Sequence, residues 1–97
     1  VNTPLINFEA SRIRRQKGVK FREVGDEIFL VHPDGEQIHN LNSMAAALWR
    51  LLGQPITGQE MANVVQTAFP IMAMTKVEED VKRILTELLE RGFVHVK

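Results

Sequence analysis

Between Gln37 and Leu52 the hydrophobic period changes from strand-like to helix-like with scarcely a residue between the two. Gln37 to Asn40 reads as a short strand. Asn42 is placed to cap a helix, because its side-chain oxygen accepts a first-turn N–H that has no partner within the helix. Leu41 and Ala46 hold the two staple positions, although Ala makes a weak staple. Ala45, Leu48, Trp49 and Leu52 fall on one helical stripe, and Gly53 ends it. Trp49 is the only Trp of the chain, and at that spacing it reads as a core anchor.

Upstream, the pattern has period two. Val19, Phe21 and Glu23 alternate with Lys20, Arg22 and Val24, and Gly25-Asp26 suits a type II′ hairpin turn with Gly first. Glu27 to His32 is the returning strand, Pro33 to Glu36 a second turn, and Gln37 to Asn40 the third strand of a meander. The simplest register places Val19, Phe21, Ile28, Leu30 and Leu41 on the face that covers the helices. Phe29, Val31 and Ile38 then lie on the other face with Lys20, Arg22 and Glu27, and they call for cover from the N-terminal tail or from a partner.

Downstream, Thr57-Gly-Gln-Glu60 is a capping box, with Ile56 and Met61 as its staple. Met61, Val64, Val65, Ala68 and Phe69 form the apolar stripe of a second helix. Thr75-Lys-Val-Glu78 reads as a second capping box, opening a third helix with Val77, Val81, Ile84, Leu85 and Leu88 as its buried stripe. Glu78–Lys82, Glu79–Arg83 and Glu87–Arg91 are spaced as i,i+4 pairs, and Gly92 suits the position after the helix. Phe93 to Val96 is β-prone, a wing or an edge strand. Ile71, Met72 and Met74 read as either a cap on the core or a partner contact. The expected fold is α+β and winged helix-turn-helix-like: a three-stranded antiparallel meander, then a three-helix bundle and a short C-terminal wing.

Ninety-seven residues support one core. Twelve basic and twelve acidic residues cancel, so no global field draws the chain to nucleic acid or membrane. The charge is uneven, however. Arg12, Arg14, Arg15, Lys17, Lys20 and Arg22 lie within eleven positions free of acids. That run reads as a solvated, partly disordered arm or as a contact for an acidic partner, with Leu5, Ile6 and Phe8 able to dock. The expected division is an arm over 1–17 and a domain over 18–97. The absence of cysteine excludes disulfides, thiolate metal sites and cysteine catalysis, and suits a reducing cytosol. No membrane-length apolar run or signal-peptide pattern appears, and the expected location is cytoplasmic.

No catalytic constellation is present: no nucleophile elbow, phosphate loop or dinucleotide fingerprint. His32, His39 and His95 sit in expected strands. His32 and His39 share a face, which leaves a metal or general-base role open beside the ordinary reading of boundary histidines with bonded rings. The expectation is no enzyme, no cofactor and no metal. Strands followed by three helices also fit a winged-helix DNA binder, but Glu78, Glu79 and Asp80 at the start of the recognition helix would repel phosphates. A scaffold or dimerisation domain using the Phe29/Val31/Ile38 face is a further alternative. The remaining class is a peptide binder. The third strand is last in the meander, and a free edge accepts an added strand, with the third helix as an apolar wall.

The order of these pieces resembles the PqqD family over about residues 18–96. The resemblance rests on Leu41-Asn42 leading to Trp49, and on the closing Asp80-Val81, Leu88 and Arg91-Gly92 run. It implies a non-catalytic peptide chaperone. Such a domain binds the leader of a ribosomally made precursor peptide by strand addition and presents it to a radical S-adenosylmethionine enzyme, as in pyrroloquinoline quinone biosynthesis. Carried onto this chain, the implied peptide site is Gln37, Ile38, His39, Asn40 and Leu41 on the strand. On the third helix it is Val77, Val81, Lys82, Ile84 and Leu85. The implied partners are the leader peptide and the radical enzyme, with no nucleic acid and no membrane, and the state is a monomer or weak homodimer. The tail 1–17 has no counterpart in the family pattern.

Overall fold

Among the described residues, two separate three-stranded antiparallel sheets carry three helices. The computed structural model describes residues 7–96. The elements are β1 (Arg12–Arg15), β2 (Lys20–Val24), β3 (Glu27–Val31), β4 (Ile38–Leu41), α1 (Ser43–Leu51), β5 (Ile56–Thr57), α2 (Gly58–Ala68), α3 (Met74–Glu90) and β6 (Val94–Val96). One sheet has the order β2-β3-β4 and the other β5-β1-β6.

The meander has the expected register. Phe21 pairs with Leu30, Ile28 with Leu41 and Leu30 with His39, so these side chains share the inner face. Gly25 has φ +64° and Asp26 does not have positive φ, as a type II′ turn requires. On the inner face Ile28, Leu30 and Leu41 are fully buried against Trp49 and Leu48 of α1 and Val81, Leu85 and Leu88 of α3. Each such side chain contributes about 1.5–3 kcal/mol of transfer free energy, so this face holds the meander to the helices.

The helix entries differ in how they are made. The Asn42 side chain accepts the Ala45 N–H at 3.0 Å, and Thr57 and Glu60 form the reciprocal capping box. The expected box at Thr75 and Glu78 does not form. The Ala73 carbonyl already accepts from Lys76 and Val77, so α3 starts at Met74 with Ala73 as its cap, and Thr75 lies inside the first turn. Nor do the three expected i,i+4 pairs form. Asp80 instead takes both Lys76 and Arg83, and Glu87 takes His39. Around the start of α3, Met72 in the preceding loop and Met74 in the first turn pack on the core, whereas Ile71 is 99% exposed.

The largest departure from the sequence expectation is at the N-terminal side. Residues 12–15, expected as part of a solvated arm, form β1, the central strand of the second sheet. Ile13 pairs with Ile56 on one side and Val96 on the other, and it is fully buried. The physical reason is alternation: Arg12 and Arg14 point out while Ile13 fills the core. Arg15 is drawn inward. Its guanidinium lies 4.5 Å from the Trp49 ring and 4.9 Å from the Phe21 ring, and Nη2 donates to the Trp49 carbonyl at 2.6 Å. Burial pushes the Arg15 pKa down. Leu5 and Ile6 lie outside the described residues. Residues 12–15 belong to the second sheet, Phe8 before them accepts the Gln59 N–H of α2, and the outer face of the meander stays open, with Ile38 69% and Phe29 39% exposed. Among the described residues no helix is long and apolar enough to cross a membrane.

Candidate peptide-binding edge

Among the described residues β4 pairs only with β3, and no described strand covers its other edge. Which backbone groups that edge offers follows from parity. His32 N–H donates to the Gln37 carbonyl at 2.9 Å, and Val31 stands opposite Ile38. In an antiparallel ladder bonded pairs alternate with unbonded ones. His39 and Leu41 therefore direct their N–H and C=O toward β3, whereas Ile38 and Asn40 direct theirs outward. The free edge thus presents two donors and two acceptors.

Alongside this edge runs a small groove of about 70 Å³ between β4 and α3. It is lined by His39, Asn40, Leu41 and Asn42 on the strand side and by Arg83, Ile84, Glu87 and Leu88 on the helix side. His39 crosses it: its Nε2 lies 3.0 Å from Glu87 Oε1, while its ring stacks on Phe93 at 5.9 Å. His32 meets the same Phe93 ring edge-on at 5.5 Å. Asn40 Nδ2 donates to Glu27 Oε1 at 3.1 Å, which holds its side chain on the outer face. Before the strand, Asp34 accepts the backbone N–H of Glu36 and Gln37. These bonds, Glu36 foremost, hold its carboxyl below the ordinary range and fix the turn that aims β4.

The sequence-derived residues separate into three sets. Ile38, His39, Asn40 and Leu41 form β4, with Gln37 just before it in the turn. Ile84 lines the groove from α3, but Val77, Val81 and Leu85 are fully buried among core side chains and anchor the helix. Lys82 is not brought to the groove; its Nζ lies 5.0 Å from the Phe8 ring on another side of α3. Sequence reasoning missed Arg83 and Glu87. The signal was available, since they stand one residue from Ile84 and Leu88, on the border of the buried stripe. As for the histidines, among the described residues no group of three or more His, Asp or Glu is placed to hold a metal ion. A larger apolar hollow of about 380 Å³ lies between α1 and α2, lined by Met44, Leu51, Val64 and Phe69, and it shares no lining residue with the groove.

The family model for coenzyme PQQ synthesis protein D (PqqD) matches residues 27–94, which include β3, β4, all three helices and the start of β6. The chain belongs to the PqqD family. Two solved structures share its fold. TbiB1 in complex with the TbiA(beta) leader peptide superposes with a TM-score of 0.76 at 20% identity, covering 84% of this chain and 94% of that one. The PqqD truncation of Methylobacterium extorquens PqqCD is a functional, stand-alone recognition element for ribosomally synthesised and post-translationally modified peptides. It superposes at 0.75 with 17% identity, covering 94% and 95%. Comparison with curated proteins gives no significant match. The PqqD-type fold thus has the expected α+β architecture of a meander followed by three helices.

Proposed function

We propose that this chain is a leader-peptide recognition element, which holds the leader of a ribosomally made precursor peptide as an added strand on β4 against α3. The observation that carries this reading is the pair Ile38 and Asn40, whose backbone groups face outward above a groove floored by Ile84 and Leu88. Membership of the PqqD family and the fold shared with a leader-bound protein support it. Four backbone bonds at about 0.5–1.5 kcal/mol each do not exceed the several kcal/mol that association costs. Side-chain contacts must therefore supply the rest of the affinity, and with it the selectivity.

In this reading the chain is not a catalyst. It binds and presents, and the bond-making belongs to a partner, a radical S-adenosylmethionine enzyme in pathways of this family. Duplex DNA is the less favoured ligand, because Glu78, Glu79 and Asp80 lie in the first half of α3. The test is a titration of the full chain with the leader of the precursor peptide from its own pathway, followed by fluorescence anisotropy. Saturable binding that depends on leader sequence is expected. Binding to duplex DNA with no binding to the leader would contradict the proposal.

A further inference from the structure

We propose that the peptide is read on the outer face of the sheet as well as in the groove, and that it carries an apolar side chain directly beside Ile38. This rests on β4 being the peptide edge. The rows across the meander are given by its register: Lys20, Val31 and Ile38 form one row on the outer face, and Arg22, Phe29 and Asn40 the next. Residues directly opposite in adjacent strands share a face, so the peptide residue paired with Ile38 extends the first row by one position.

That position is built to be covered. Ile38 is 69% exposed and Phe29, diagonal to it, 39%, while Val31 behind Ile38 is half-buried. The described part of the N-terminal side lies elsewhere, residues 12–15 in the other sheet and Phe8 against Gln59 and Lys82. An apolar residue opposite Ile38 would remove its side chain from water; a charged one would leave the row open and desolvate itself against it. The adjacent peptide residue points the other way, into the groove of about 70 Å³ beside His39 and Ile84. That space equals roughly two water molecules, so it takes a small side chain. The next residue stands opposite Asn40, whose amide is already engaged by Glu27, and suits a polar partner. The ligand class is therefore an extended peptide reading apolar, small, polar along three successive positions.

Random peptides displayed on phage and selected on the full chain provide the probe, with the enriched peptide synthesised and its contacts mapped by amide chemical shifts. The expected peptide shifts Ile38 and Asn40. Ile38→Thr, a β-forming substitution at an exposed side chain, weakens it about fivefold, the upper scale of one cross-strand pair. The loss vanishes when the outward peptide residue is itself changed to Thr. An equal effect on both peptides, or none on either, overturns the inference and leaves β4 as the peptide edge. Shifts confined to other surfaces, or no enriched peptide, overturn both. If Ile38→Thr instead dissolves a dimer of the free chain in sedimentation and leaves peptide affinity unchanged, the face belongs to a second copy and the inference falls.

Discussion

His39 Nε2 lies 3.0 Å from Glu87 Oε1, and this contact ties the outer strand of the meander to α3 across the groove. The two partners differ in exposure, with side chains 17% and 52% accessible. A contact with so exposed a carboxylate is worth at most about 1 kcal/mol, whereas the imidazole also packs on Phe93. Glu87→Ala is therefore expected to lower unfolding stability by less than about 1 kcal/mol, and His39→Ala by about 1–2 kcal/mol. Urea titration followed by Trp49 fluorescence measures both.

Proline separates the two edges of β4. At Ile38 it removes an N–H that faces outward, so the domain stays folded and peptide binding is lost. At His39 it removes a ladder N–H to β3, and unfolding at lower urea is expected, by about 3 kcal/mol. Circular dichroism with a leader titration checks the pair. Equal destabilisation by both substitutions would contradict the assigned parity.

Ile13 tests whether β1 is part of the domain. Its strand lies between β5 and β6 and its side chain is fully buried in the core, and Ile13→Ala is expected to cost about 2–4 kcal/mol. A chain shortened to begin at Gly18 is expected to lose at least as much, since β5 and β6 would both lose their pairing partner. Denaturant midpoints measure the two variants.

The capping box predicts an acid dependence. The Thr57 backbone N–H and then its hydroxyl hold the Glu60 carboxyl below the ordinary carboxylate range. A carboxyl depressed in the folded state contributes stability above its unfolded pKa, about 4.3, and the contribution is lost as pH falls through the lower folded value. Glu60→Gln removes this part of the dependence. Melting temperature against pH is expected to fall less steeply in the variant below about pH 4.3.

What could be read from the sequence was local. The Asn42 cap, the Thr57 box and the Gly25 turn each need only a few neighbouring residues, and the meander register follows from alternation between two tight turns. β1 was hidden for the opposite reason. One Ile among three Arg gives no periodic signal, and its partners lie more than forty residues away in β5 and β6. The start of α3 was misplaced because Ala73 supplies no capping side chain, while Thr75 and Glu78 mimic a box two residues too far along. For the site, strand position was legible from the meander order. The α3 wall was not, because an amphipathic stripe identifies what the core takes, and the groove is lined from its border by Arg83 and Glu87.

The central claim is that β4 offers Ile38 and Asn40 to an incoming strand, and amide hydrogen exchange reads this directly. In the free chain the Ile38 and Asn40 amides are expected to exchange quickly and those of His39 and Leu41 slowly. On addition of the leader, Ile38 and Asn40 become protected. Exchange at Ile38 and Asn40 that is unchanged by saturating leader would contradict the account.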